Sequence, residues 1–291
     1  MHPPYPGPSS HPAPCVCQHV DLEKAVRTRT VPKFDALYQP QYSDILLSTA
    51  NHHWLTGDRE IVNLGGGRIQ GVIASMYTGI REPALARIAG DCAVPLLGHV
   101  YTPQCQIEGG PRLIGLIMEP AEKINFKDYV TLEAKEGLKN EMINLLERLH
   151  GEYGIIHGDV TPCSFMRWKG ELRFVKFRAS RLFNEGPENF RGERNVSYLC
   201  PNKLCEERRP GIDFNFPTDP IEDWYALALV VYEIYTGCGP PKLDYNNYDN
   251  IHVSPRERKL PDLKLIEDET IRNWMVDIFR KGGCLINTAT A

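Results

Sequence analysis

Asp159 stands in the run His157-Gly158-Asp159-Val160-Thr161-Pro162-Cys163-Ser164, and its carboxylate is of a type that could take the proton of an attacking hydroxyl. Ser164 follows five residues on. Further along, apolar Val175 precedes Lys176-Phe177-Arg178. An ammonium donates hydrogen bonds and accepts none, so Lys176 cannot ligate a metal and repels one. Arg178 adds a second positive charge. Cys163, beside Asp159, is either a reactive thiol or a small buried filler, and the filler is the expectation.

These residues need elements to hold them. Leu138, Met142, Leu145, Leu146 and Leu149 recur at helical spacing and predict a helix over residues 132 to 150 that leads into the loop. Gly154-Ile155-Ile156 reads as a short buried strand before His157. Leu172 to Ser180 alternates like the second strand of a hairpin, with Lys169-Gly170 suited to its turn. From Asp223 to Gly237 apolar residues cover nearly the whole helical circumference, as in a helix at the centre of a lobe, and Gly237 fits its C-terminal cap.

Taken in order, these segments resemble protein kinases. His157 to Ser164 is similar to the H-R-D-L-K-P-E-N catalytic loop, in which Asp is the base and Asn holds magnesium; here Asp159 is retained and Asn is Ser164. Lys176-Phe177-Arg178 stands where the family carries D-F-G, so Lys176 replaces the second magnesium ligand. Asp223 to Gly237 resembles the D-x-W-S-L-G helix, whose Asp receives backbone hydrogen bonds from the catalytic loop, and His157 belongs to the scaffold of that loop. Val196-Ser197-Tyr198-Leu199-Cys200-Pro201-Asn202 is similar to the segment ending in A-P-E. Asn202 replaces the Glu, and residues 278 to 291 lack the R-P dipeptide that usually pairs with it. Losing one partner of a buried pair costs roughly 3 to 5 kcal/mol, whereas losing both is near neutral.

The resemblance implies a small lobe with a phosphate-binding lysine, yet no lysine occurs between Lys33 and Lys123. Gly71 to Met76 looks like the strand that would carry it, with Ser75 or Met76 at its position. Glu82 matches the acid that would pair with it. Gly65-Gly66-Gly67 reads as the turn before that strand and not as a phosphate-cradling loop. Leu113 to Pro120 resembles the fifth strand and hinge, with Met118 at the back of an adenine pocket and Glu119 on the hinge; Pro120 removes one hinge donor.

Composition sets the outer limits. The 291 residues, 42% hydrophobic, suffice for one two-lobed domain with tails. A net charge of −4 gives no indication of nucleic-acid binding, and no apolar run approaches a membrane span. Nine cysteines without C-x-x-C pairs favour free thiols in a reducing compartment, cytoplasmic or nuclear. Neither Cys15-Val16-Cys17 nor His52-His53 has the layout of a metal site. Residues 1 to 14 hold six prolines and suit an extended or disordered tail.

The sequence thus implies an α+β, two-lobed protein-kinase-like fold: a tail over 1–20, an extension or lobe start over 21–59, a small lobe over 60–118, a large lobe over 119–281 and a tail over 282–291. It reads as a divergent kinase-like protein of fungal type, catalytically impaired, with no bound metal, ATP binding only without magnesium, and protein partners of unstated identity. The alternatives are an active protein kinase or small-molecule phosphotransferase with Asp159 as base, and a decayed gene product. Lys176 is expected near Asp159 or Glu82 as a cation in place of the metal, or else turned to solvent.

Overall fold

The computed structural model describes residues 60–64, 69–73, 81–102, 112–183, 196–202, 219–240 and 261–284. Ser75, Gly65-Gly66-Gly67, Cys15-Val16-Cys17, His52-His53 and the segments 1–20 and 21–59 lie outside these residues. The chain divides into two compact units, Met1–Ala84 with Leu96–Pro120, and Leu85–Pro95 with Ala121–Ala291.

The first unit is built on a four-stranded antiparallel sheet of β1 (Glu60–Leu64), β2 (Ile69–Ile73), β3 (Leu96–Thr102) and β4 (Arg112–Met118), in the order β1-β2-β4-β3. Leu64 pairs with Ile69 at one end of the antiparallel β1–β2 pair. The register of β4 places Met118 opposite Gln70 on one side and Leu96 on the other. Leu116 and Met118 are buried, as the two-residue period of a strand requires for one covered face. Helix α1 (Arg81–Ile88) begins here, with Glu82 in its first turn, where a carboxylate complements the helix dipole. Pro83 is tolerated in that turn because its missing N–H has no intrahelical partner.

The second unit holds Leu85–Pro95 through main-chain and side-chain ties. Val94 N–H donates to the Phe174 carbonyl, and Asp91 accepts from Tyr153 and Arg148. Its long helix α2 (Leu132–Gly151) starts at Thr131, whose hydroxyl accepts from Ala134 N–H, and buries Leu138, Met142, Leu145, Leu146 and Leu149. A two-residue strand β5 (Glu122–Lys123) pairs with β7 (Phe165–Trp168), which pairs in turn with β8 (Glu171–Phe174). Lys169 and Gly170 join β7 and β8 with φ of 51° and 85°. Two positive φ values are those of a type I′ turn, whose twist matches a hairpin. Strand β8 ends at Phe174, short of the alternation that runs to Ser180, because Lys176 takes left-handed backbone angles and Phe177–Ala179 forms a 3-10 turn. The pair β6 (Ile155–Ile156) and β9 (Arg181–Leu182) closes beside this turn.

Helix α3 (Ile221–Thr236) is buried along almost its whole length, and it packs on both α2 and the amphipathic α4 (Glu269–Lys281). Tyr225 meets Phe279 edge-on at 5.3 Å. Gly237 ends α3 at φ 70°, donating its N–H to the Glu233 carbonyl, and a glycine takes this conformation at least cost.

Leu146→Ala, at a fully buried position of α2, is expected to destabilise the protein by about 3 kcal/mol. Urea unfolding reads this as a lower midpoint at unchanged slope; a loss below about 0.5 kcal/mol would remove α2 from the core.

Candidate active-site loop

Asp223, in the first turn of α3, is 1% exposed. A carboxylate so placed must be hydrogen-bonded or neutral, and this one accepts three bonds. Its Oδ2 takes the His157 N–H at 2.6 Å and lies 2.9 Å from His150 Nε2, and its Oδ1 takes the Gly158 N–H at 2.8 Å. Burial alone would raise the carboxyl pKa; the His150 hydrogen bond and charge, with the backbone N–H groups, outweigh it and hold the group below the ordinary carboxylate value. The resulting stabilisation is present above the unfolded pKa of about 3.9 and is lost as pH falls through the lowered native value.

The loop is fastened on its other side by main-chain neighbours. Ser180 Oγ donates to the His157 carbonyl at 2.8 Å, and His157 Nε2 donates to the Val175 carbonyl at 2.9 Å. His157 Nδ1 then serves as acceptor for the Asp159 N–H at 3.3 Å. With both ring nitrogens engaged in one tautomer, His157 orients backbone. Gly158 has φ 77°, and a Cβ there would stand 2.3 Å from the Ala179 carbonyl oxygen. No side chain fits at this position, so the arginine of the H-R-D pattern is excluded by contact as well as by sequence.

Ser164 is fully buried and its hydroxyl is fully used. It donates to the Asp159 carbonyl at 2.6 Å and accepts from Thr161 N–H at 3.2 Å. Its only proton being committed, the 2.9 Å contact with Thr161 Oγ1 is a bond that Thr161 donates. One donor and two lone pairs exhaust a hydroxyl. Ser164 therefore pins the backbone of Asp159 and has nothing left for a metal ion. Cys163, expected as buried filler, is exposed: the 3-10 turn Pro162–Ser164 that directs Ser164 inward leaves its middle residue outside.

Lys176, which the resemblance puts at the other metal position, has φ 66° and ψ 55°. A left-handed lysine costs about 1 to 2 kcal/mol relative to the right-handed region. Its ammonium forms no ion pair within 4.0 Å, to Asp159 or otherwise, among the described residues. Phe177, Arg178 and Ala179 after it are buried. Among the described residues no group of three His, Cys, Asp or Glu side chains could hold a metal. The positions that would hold magnesium do not fit it: one is a saturated hydroxyl, the other a cation.

Further from the loop, Tyr198 donates to Glu233 Oε2 at 3.1 Å. Burial, then the Glu233 charge, pushes the Tyr198 phenol well above its ordinary range. Asn202 N–H donates to the Gly282 carbonyl, and the Asn202 side chain lies where a Cβ on Gly283, φ 92°, would be. A glycine backbone thus meets Asn202. The space lined by Gly158, Asp159, Val160, Tyr198, Glu222 and Asp223 is only about 10 Å³, one water at most.

Of the remaining site residues, Met118 is buried at the end of β4, Glu119 is half-buried just after it, Glu82 is buried in α1, and Ser75 lies outside the described residues. His150 went unread in the sequence, although it carried a signal. Met142, Leu146 and His150 share one helical stripe at four-residue spacing, and a polar residue on a buried stripe calls for a buried partner.

No family model matches the sequence, and no curated protein is similar to it. The solved structure of the Cydia pomonella granulovirus kinase PK-1 matches at a TM-score of 0.50 with 16% identity, over 82% of this chain and 92% of that one. The likeness shows the fold. This chain has a two-lobed, α+β, protein-kinase-like fold.

Two substitutions separate the roles assigned to the metal positions. Ser164→Ala strands the Thr161 N–H and the Asp159 carbonyl and is expected to cost about 1 to 3 kcal/mol. Lys176→Gly relieves the left-handed strain and is expected to stabilise by about 1 kcal/mol. Thermal and urea unfolding measure both; a neutral Ser164→Ala would contradict the pinning role, and a destabilising Lys176→Gly would show that the lysine side chain holds the turn.

Proposed function

We propose that this chain, with its protein-kinase-like fold, is a catalytically impaired pseudokinase that acts as a regulatory or scaffolding module. The observation that carries the reading is the Ser164 hydroxyl, whose single proton and both lone pairs are spent inside the loop. With Lys176 at the second metal position, neither side chain is available to magnesium. Phosphoryl transfer depends on positioning and on stabilising the charge of the transferring group, so a retained Asp159 without these parts contributes little.

In this reading Asp159 persists as part of the loop scaffold, and ATP, if it binds, does so without magnesium. The partners are proteins. The described cysteines are thiols and not disulfides, in keeping with a cytoplasmic or nuclear setting, and among the described residues no helix is long and apolar enough to cross a membrane. The opposing reading is an active phosphotransferase, acting on protein or a small molecule, with Asp159 as base.

Thermal shift with ATP, with and without magnesium, together with a phosphate-transfer assay on general protein substrates, distinguishes the two. The expected result is no magnesium-dependent gain in melting temperature and transfer equal to that of Asp159→Ala. Transfer above background that disappears in Asp159→Ala would establish the active enzyme instead.

A further inference from the structure

A groove of about 540 Å³ runs between the first turn of α3 and the later turns of α4. Trp274, Asp277 and Lys281 enter it from α4, three and four residues apart and so on one stripe of that helix. Trp224 of α3 and Asp219, just before α3, line it from the other side, and Ile221 and Ile278 add apolar surface. Two carboxylates against one ammonium leave the lining with a net formal charge of −1.

The polar groups of this groove are largely unspent. Trp224 and Trp274 are both half-buried. Among the described residues neither indole N–H has an acceptor, neither nitrogen is sealed from solvent, and no cation lies over either ring. Trp224 is held from behind by His150, whose ring meets it edge-on at 6.1 Å. Asp219 Oδ1 accepts the Ile221 N–H at 2.9 Å, whereas its Oδ2 accepts nothing and no cation stands within 4.0 Å of either oxygen, among the described residues. Asp277 has one partner, Lys281 at 2.6 Å, with the two side chains 55% and 63% exposed. An exposed pair of this kind contributes little net stability, so Asp277 exchanges its ammonium at small cost.

We infer that the groove is a docking site for an arginine of a protein partner. Indole is the aromatic side chain that attracts a cation most strongly over its face. A guanidinium is planar, weakly hydrated and forked, so it stacks on a ring and reaches a carboxylate with the same group, whereas an ammonium keeps its water more tightly. Asp219 and Asp277 supply the counter-charge, and the two indole N–H groups suit the carbonyl oxygens of the partner's backbone. Lys281 is the resident cation that the arginine displaces from Asp277. The inference gives the proposed regulatory module a contact and rests on that reading for its partner. It uses no residue of the Asp159 loop, so loss of arginine binding and detection of phosphate transfer are separate outcomes.

The chain has four tryptophans, and their indole N–H signals in 15N NMR of the full chain at low salt test the proposal. The probes are an acetylated, amidated glycine-rich pentapeptide with one central arginine and the same peptide with lysine or with neutral citrulline. The arginine peptide is expected to shift two signals saturably, those that disappear in Trp224→Phe and in Trp274→Phe, while the lysine peptide binds more weakly and the citrulline peptide leaves them unmoved. Asp277→Asn, at an exposed position, should weaken binding about tenfold, the loss of one charged hydrogen-bonding group. Lys281→Gln should strengthen it several-fold by removing the competing ammonium, with the fold of each variant checked by thermal unfolding. Unmoved signals with the arginine peptide, equal shifts with citrulline, lysine binding as tightly as arginine, or a Lys281→Gln variant that binds no better would overturn the inference.

Discussion

The second unit depends on one buried carboxylate. Asp223 accepts two backbone N–H groups of the loop and faces a helix-borne imidazole, so the start of α3, the end of α2 and the loop share a single anchor. A buried ion left without partners costs several kcal/mol, and the loop conformation observed supplies them. The constraint works in both directions. The loop backbone holds the charge, and the charge selects the loop.

Around that anchor the loop keeps its shape while its side chains have been reassigned. Ser164 fills the interior of the turn and ties Thr161 to Asp159. Gly158 lets the chain press against the Ala179 carbonyl, where any larger residue would force the two segments apart. Lys176 keeps the abrupt backbone turn between Val175 and Phe177 without adding an acceptor. Each of these residues is compatible with the packing observed.

How much of this is legible in the sequence follows from the physics of each feature. The apolar period of Leu138 to Leu149 and the unbroken apolar run after Asp223 read directly as α2 and α3, because burial repeats with the helical period. The Lys169-Gly170 turn is legible for the same local reason. The end of β8 is not, since alternation continues to Ser180 while a single left-handed residue stops the strand. Saturation of the Ser164 hydroxyl is a matter of proton counting among three residues, and no spacing rule announces it. The exposure of Cys163 follows from the direction of a 3-10 turn. His150 marks the middle case, visible as a polar break in an apolar stripe, though its partner lies 73 residues away.

The central claim is that the loop around Asp159 is held by protein hydrogen bonds and has no place for a divalent ion. Manganese stands in for magnesium and can be followed by electron paramagnetic resonance in the presence of ATP. The account predicts a spectrum that matches manganese–ATP free in solution and is the same for the natural chain and for Asp159→Ala. An additional protein-held manganese signal that vanishes in Asp159→Ala would contradict it.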